Sequence, residues 1–560
     1  MNIIFGDSMI DINSYYKDIE SKLDGKYMEE LMDKYIVSNK QAALVTTNPK
    51  PGLLEANNAE LTKKLTDKKA SMSADEISDL VTKTKEFKEW NNKETDQSII
   101  DSLKAVNAKD IPVEVKDYNI KESEVQGIKE VTADADISGI GSAGFVFDES
   151  HLTEEELLYL QFYSTLIGND LPTKTRTGDE IKNDITRKSY GLGTRITPLS
   201  DNKDGTKAHP VFQLEYIAMN DDYKDIMDIT SDMLLNSNVN ENYDDYMKNA
   251  ISSEKQQYDY LCANPSFMAS IRAMAYDNLY NRYQNYLIGI DYHNFILQLE
   301  KDYNENPQKV MDKIKEVRDK AFSKNNLTVL FGGNDEARSK FNNELGNFLG
   351  NLGDKTYEKA SYNLPVPERR EALTTNIDVQ YMTVNSNLNN LNITGEGKFY
   401  VLSKLLNERF LIPELRLNGG AYGVNASVSG KDFNIYTFRD NDFSNSLNVI
   451  NSTDEYMKSV MAELTDAALD SYIISTYAEE NSPQGELTGA IDTLNNYMNN
   501  ITVEDKKQIL DEIKGTTLDS LKNCGDDLGK LNDNSNYVVV GSPEVINAHK
   551  DLFDKIIPLQ

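Results

Sequence analysis

One rhythm occurs three times along the chain: a charged helical stretch, a short apolar run led by Asn, a tight turn, then another helical stretch. Ser38-Asn39 leads into the apolar run 42–45, a turn at Asn48-Pro49 and a helical pattern from Leu54. Asn325-Asn326 leads into 327–331, then Gly332-Gly333-Asn334 and a helical pattern to Leu349. Ser535-Asn536 leads into 537–540, then Gly541-Ser542-Pro543 and a helical pattern to Ile557. Each reads as strand, turn and helix. Together they predict the closing elements of three related domains, the first represented only by its tail over 1–65.

Between the first two closures the pattern changes. Ser73-Ala74-Asp75-Glu76 fits a capping box, in which Ser73 accepts from the backbone and Glu76 reaches back. It predicts a helix through Trp90, followed by a second over 96–106 that ends before Ile111-Pro112. This Lys/Glu-rich pair predicts a helical hairpin linker over 66–125.

The next unit, 126–350, opens with a strand at Phe145, Val146 and Phe147. Residues 153–156 start a helix striped by Leu158, Phe162 and Leu166 and ended by Gly168. Phe212, Leu214, Tyr216 and Ala218 alternate with polar neighbours, the pattern of a half-buried antiparallel strand. Long helices fill 221–320, where Tyr276, Tyr280 and Tyr283 share a face expected to pack rather than to stack on a ligand. The last unit, 355–560, follows the same order. Ile377, Val379 and Tyr381 alternate as a strand, and Leu402, Leu405, Leu406 and Phe410 stripe a helix. A Gly/Tyr turn at 416–423 then leads to strands near 424–428 and 433–438, with Arg187-Lys188-Ser189-Tyr190-Gly191 in the equivalent place of the preceding unit. The prediction is an α+β fold of two similar domains, each a mostly antiparallel sheet with helices packed on one face, plus the hairpin linker.

Charge narrows the partners. Lys+Arg number 59 against 91 Asp+Glu, a net charge of −32, which repels phosphate backbones, argues against nucleic acid and suits basic peptides, although plain solubility is the simpler reading of charge alone. The two cysteines, Cys262 and Cys524, lie far apart, which excludes a disulfide framework and a zinc knuckle and suits a reducing compartment. No stretch approaches the roughly 18 apolar residues of a membrane span, and residues 1–13 lack a basic and apolar leader pattern. A soluble, cytoplasmic protein without a membrane partner is expected.

Candidate chemistry is sparse. The four histidines, His151, His209, His293 and His549, form no His-Glu-x-x-His or inverted His-x-x-Glu-His pair. His151-Leu152-Thr153-Glu154-Glu155 comes nearest, with Glu155 where the second imidazole belongs. Its acids are expected to serve a helix N-terminus instead. No Gly-x-Ser-x-Gly elbow and no Cys with a local His are present. The informative segment is Arg416 to Asp440. Gly419-Gly420 permits a sharp bend, and Arg416 and Tyr422 flank it six residues apart. A guanidinium and a phenol so placed can hydrogen-bond a peptide carbonyl and support a developing oxyanion. A structural Arg and a core Tyr beside an ordinary turn is the plainer alternative.

Arg416-Leu417-Asn418-Gly419-Gly420-Ala421-Tyr422-Gly423, followed by Tyr436-Thr437-Phe438-Arg439-Asp440, resembles the C-terminal half of presequence proteases of the pitrilysin/insulinase clan, relatives of falcilysin. The resemblance implies a clamshell of two halves, each of two pitrilysin-like domains, joined by a helical hairpin and closing on an unfolded peptide. It implies domains at 126–350 and 355–560, zinc on the N-terminal half and no metal or other cofactor in this chain. It also implies catalytic Arg416 and Tyr422, with Gly419, Gly420 and Ala421 beside them contacting substrate. The implied partners are a zinc-bearing half, fused or separate, and unstructured peptides, basic ones being compatible with the acidic balance. The chain departs from the family pattern at Val424 and at Asn441-Asp442. A non-catalytic peptide-binding or assembly subunit on the same fold is the competing expectation, and the discriminator is whether Arg416 and Tyr422 face an open concave surface or are buried.

Overall fold

The computed structural model describes residues 12–559 except 24, 42, 47, 49, 92, 94, 95, 97, 100–105, 169, 170 and 241–243. The chain divides into two units, 1–105 and 106–560.

In the first unit the helices Leu53–Ser71 and Ala74–Asn91 follow one another. The capping box forms as expected: Glu76 N–H donates to Ser73 Oγ at 3.2 Å and Ser73 N–H to the Glu76 carboxylate at 2.8 Å. The second hairpin helix falls largely outside the described residues. The apolar run expected as a strand is not one at 43–46, and Leu44 and Val45 are exposed. A strand is held by pairing with a neighbour, and the described residues of this unit contain none for it.

Among its described residues the second unit contains twelve strands in chain order. They are β1 (Lys121–Val125), β2 (Ile128–Asp134), β3 (Ile140–Asp148), β4 (Tyr190–Asp201), β5 (Asp204–Met219) and β6 (Leu327–Gly333), then β7 (Arg370–Thr374), β8 (Gln380–Asn387), β9 (Gly423–Ser429), β10 (Asp432–Asp440), β11 (Asn536–Gly541) and β12 (Lys555–Pro558). They make two six-stranded sheets, β1-β2-β6-β3-β5-β4 and β12-β7-β11-β8-β10-β9. Apart from the edge strands β1 and β12, the orders correspond position by position. Among the five corresponding strands of each sheet one pair is parallel, β2 with β6 and β7 with β11, and the three pairs beyond it are antiparallel; the edge strands differ, β1 pairing antiparallel with β2 and β12 parallel with β7.

Period-two alternation explains the unbroken apolar runs that mark the two closures. Leu327, Val329 and Phe331 of β6 enter one core and Leu330 another. Tyr537 and Val539 of β11 face one side, Val538 and Val540 the other. A strand that is apolar throughout is buried on both faces. β8 behaves likewise: it starts at Gln380 rather than 377, and all eight of its residues are buried.

Each sheet packs its own helices on one face. The first carries Glu154–Gly168, Tyr223–Asn236, Pro307–Ala321 and Asp335–Asn351. The second carries Glu396–Leu406 and Leu518–Asn534. The opposite face of each sheet is covered by a helix from the other half of the unit. Ser266–Met274, which lies between β5 and β6 in sequence, packs on β8, β11 and β10 of the second sheet. Glu486–Met498, between β10 and β11, packs on β2, β6 and β3 of the first. The second approach is close enough that a Cβ on Gly489 would sit 2.0 Å from the Tyr118 hydroxyl, so only glycine fits.

The exchange is locked by buried polar contacts. Arg272, on the first of these helices, forms a forked ion pair with Glu371 of β7, and both side chains are buried. Ser270 Oγ lies 3.0 Å from Thr383 Oγ1. Asn278 Nδ2 donates to Asp432 Oδ2 at 2.9 Å, and burial pushes the Asp432 carboxyl up to about 6.

One buried acid stands apart. Glu149, just past β3, is fully enclosed and neither carboxylate oxygen has a hydrogen-bond partner. Burial, and secondarily Asp148, raises its pKa well above the usual carboxylate range. His151 Nε2 is 3.9 Å away, with its own pKa pushed down by burial.

Two outcomes follow for stability. Arg272→Met leaves Glu371 buried and unpaired and is expected to cost about 3–5 kcal/mol, measured as a drop in the urea midpoint that is largely recovered when Glu371→Gln is added. Glu149 binds its proton more tightly in the folded chain than in the unfolded one, so its contribution is present at low pH and lost as pH rises above the ordinary carboxylate value of 4.5. Glu149→Gln is therefore expected to raise Tm relative to the parent at pH 7, and the difference should vanish near pH 4.

Candidate functional site

The second sheet presents a bend built by three local devices. After Glu396–Leu406 the helix continues as a wide π-helix, Asn407–Asn418, with Pro413 inside it. Proline has no N–H to give to the helix ladder. The Arg409 carbonyl in this segment accepts from the Tyr456 hydroxyl at 3.1 Å. Buried Leu411 and Leu415 anchor the segment, which leaves Arg416 and Leu417 exposed on its last turn.

Gly419 and Gly420 then end the helix. A Cβ on Gly419 would lie 2.7 Å from Leu415 O and 2.8 Å from Glu414 O, and Gly420 has φ +85°. Neither position accepts another residue without strain. Ala421 N–H donates back to Leu415 O at 2.9 Å and so closes the turn, with the Ala421 side chain buried.

A bulge on β10 laces the bend to the sheet. Pairing with β8 passes from Thr437↔Met382 to Asp440↔Gln380, so Phe438 and Arg439 together oppose Tyr381. Arg439 takes φ +52°, unusual for a side chain of its size. Its carbonyl accepts from Tyr422 N–H at 3.3 Å, and Asn441 Nδ2 donates to Gly420 O at 2.9 Å. The Tyr422 ring rests on Phe438, 6.1 Å between centroids, while the residue stays 69% exposed. Arg416 and Tyr422 are thus both open to solvent, which removes the alternative of a structural Arg and a core Tyr.

The guanidinium partners sharpen this picture. The chain has twelve arginines. Arg176, Arg195, Arg272, Arg318, Arg338 and Arg370 pair with carboxylates. Arg282 and Arg369 bond backbone carbonyls, and Arg409 bonds the Tyr472 hydroxyl. Among the described residues the guanidiniums of Arg187, Arg416 and Arg439 have no hydrogen bond or ion pair. In a chain with so large an acidic excess, two free cations flanking Tyr422 and one at the equivalent bend of the first sheet form a pattern. Arg439 was missed as a site residue from sequence. Its signal was the break in alternation at Phe438-Arg439, which marks the bulge.

The other histidine-centred candidate dissolves. His151 stacks on Tyr357 at 5.1 Å and its Nε2 lies 3.1 Å from Lys320 O. Glu154 accepts from Asn363 N–H, and Glu155 is exposed. Thr153 and Glu156 form a capping box instead, so the acids do serve the helix start. Burial alone would raise the Glu156 carboxyl, but Lys320, the Thr153 N–H and Lys313 hold it down, to about 2. His293 stacks on Tyr258 and His549 meets Phe443 edge-on. Among the described residues no group of three or more His, Cys, Asp or Glu could hold a metal ion, so the residues present do not fit a zinc centre. Cys262 and Cys524 are free and buried, with burial pushing them up to about 11 and about 12. Among the described residues no helix is long and apolar enough to cross a membrane.

Residues 47–299 match the family of domains associated with peptidase M16, subfamily C, and 370–543 match the PreP C-terminal domain. The chain is 23% identical over 542 residues to Protein HypA of Clostridium perfringens, covering 96% of this chain and 55% of that protein. It is 22% identical over 527 residues to Presequence protease 1, chloroplastic/mitochondrial, of Arabidopsis thaliana, covering 92% and 48%. The chain thus spans about half the length of the curated relatives it matches. Among solved structures, a protease from Helicobacter pylori aligns with TM-score 0.55 at 13% identity over 76% of this chain and 100% of that one. The peptidase M16 inactive domain from Pseudomonas fluorescens aligns with TM-score 0.54 at 12% identity over 76% and 98%. These likenesses establish the fold, and the two family matches span both sheets. The chain belongs to the M16 peptidase family and corresponds to the C-terminal half of its presequence-protease-like members.

Proposed function

We propose that this chain is the zinc-free half of a peptidase that degrades unstructured peptides, and that it supplies Arg416 and Tyr422 to a metal centre carried by the other half, fused or separate. On this reading residues 1–65 are the tail of the zinc half's second domain. Residues 66–125 are the hairpin linker, and 126–350 and 355–560 are the third and fourth domains. The observation that carries the reading is the pair of exposed, unpartnered donors held on a bend that two glycines and the β10 bulge keep stiff.

A guanidinium cannot lose its charge near neutrality, and a phenol donates one O–H. Both can donate to the oxygen of a peptide carbonyl, and the gain is larger where negative charge grows on that oxygen. The backbone of Gly419, Gly420 and Ala421 offers a surface without bulk against which an extended peptide lies. Two buried, free thiols are compatible with a reducing, cytoplasmic setting. The exposure of Arg416 and Tyr422 favours substrate contact over a purely structural assembly subunit, in which these donors have no task.

The test is complementation. Alone, the chain is expected to bind unfolded peptide weakly and cleave nothing. With a zinc-bearing half of the family added, cleavage should appear. Arg416→Ala should then lower kcat by about 10²-fold and Tyr422→Phe by about tenfold, with Tm unchanged. Hydrolysis by the chain alone with one bound zinc would overturn the reading.

A further inference from the structure

Beside the bend lies a cleft of about 540 Å³ whose lining includes Gln380, Asn441, Asp442, Glu544 and His549. Asn441 belongs to both features, since the side chain that lines the cleft also donates to Gly420 O. A peptide held at the bend therefore has this cleft as its next neighbour.

One residue lining the cleft has an acceptor that nothing satisfies, and two more unpartnered oxygens lie on the neighbouring strand β10. Gln380 is 3% exposed, lines the cleft, and its Oε1 has no partner. Asp440, its cross-strand neighbour, is 1% exposed; one oxygen takes the Asp442 N–H at 3.0 Å and the other, Oδ2, takes nothing. Thr437 Oγ1, on the same strand, is also buried and unpartnered. At the rim, Asp442 caps the helix Phe443–Ile450 through Asn445 N–H, and Glu544 is exposed with no ion pair among the described residues. No Lys or Arg lines the cleft. Orphaned buried acceptors are costly and invite a donor.

The first sheet acts as an internal control. By the register of each sheet's closing strand, the position of Gln380 opposite Asp440 is that of Gly141 opposite Ala218. The fold accepts an apolar pair there, so it does not require the polar one.

We propose that this cleft is a subsite for a lysine or arginine side chain of the bound peptide, with Gln380 at its floor, Asp442 and Glu544 at its rim, and the Asp440 carboxylate behind Gln380 on the neighbouring strand. The inference rests on the peptide-holding role of the bend. A cationic nitrogen is a donor on every side, which meets several acceptors at once, and the carboxylates supply the opposite charge. A metal ion fits less well, because the described residues contain no group of three acid, His or Cys ligands.

The experiment uses the full chain and fluorescence anisotropy. The probes are an N-acetylated unstructured peptide with one lysine, scanned along its length, and the same peptides with that lysine replaced by glutamine. At the matching register the lysine peptide should bind about tenfold more tightly. In the double variant Asp442→Asn/Glu544→Gln, which keeps the helix cap, that ratio should fall towards one. The double variant changes the net charge of −32 by only two units, so a preference due to the overall acidic field would survive it. Arg416→Ala should weaken both peptides equally and leave the ratio intact. Equal binding of the two peptides by the parent chain, or a ratio unchanged in the double variant, overturns the subsite while leaving peptide binding at the bend standing. Failure of every peptide to bind overturns both.

Discussion

Neither sheet of the second unit can bury its outer face with its own helices, and everything else in the fold answers that constraint. Val131, Val146 and Leu330 of the first sheet, like Leu373, Val538 and Val540 of the second, would otherwise face water. Each is covered by a helix that belongs, in sequence, to the opposite half. The exchange makes the two sheets one cooperative body, and the Arg272–Glu371 pair sits in its seam. A buried pair of this kind adds little net stability over an apolar pair of the same size, but it penalises any arrangement that separates its partners. Its value lies in fixing which helix meets which sheet.

That rigidity is what a contact surface needs. Donors act on a developing charge only if they are already in place, because moving them costs free energy at the moment of reaction. The bend at 416–422 is restrained from three directions. The π-helix with Pro413 sets its approach, the two glycines fix its turn, and the bulge at Arg439 ties it to β10. The sheet carrying that bulge is in turn held from behind by Ser266–Met274. The side chains at the tip remain exposed while the backbone beneath them is over-determined.

Much of this was legible in the residues and some was not. The closing strands could be read because fully apolar runs such as 537–540 are buried on both sides, and because turn residues such as Gly541-Ser542-Pro543 have few other uses. The capping box at Ser73 and the helix start at 153–156 could be read because their signals are local. Helix exchange could not. The apolar stripe of Glu486–Met498 says that it packs but not on which sheet, and that choice depends on contacts hundreds of residues apart. The first closure misled for the related reason that an apolar run predicts a strand only where a partner strand exists. At the site, Arg416, Gly419, Gly420 and Tyr422 were visible through a resemblance, whereas Arg439 was not. A bulge changes the facing of side chains by one residue, and the sequence shows that only as a lapse in alternation.

The two sheets also allow their bends to be compared as variants of one design. Both bends present an exposed tyrosine, Tyr190 at 77% and Tyr422 at 69%, close after an unpartnered arginine and beside a glycine with positive φ, Gly191 or Gly420. They differ in what holds them. Arg187 ends an ordinary helix, Gly178–Lys188, whose neighbouring Lys188 is tied to Asp222 and Asp225. The first bend has no paired glycines, and its irregular pairing lies at the edge strand β4 itself. Only the second bend carries the π-helix, the glycine pair, the free Arg439 and the acceptor-lined cleft. The matching strand orders give both bends the same place in their sheets; they do not explain why strained backbone and unsatisfied polar atoms gather around the second. Those features cost stability and are retained where geometry has a use. That asymmetry, rather than the Arg and Tyr alone, is what supports the proposal that Arg416 and Tyr422 meet the substrate.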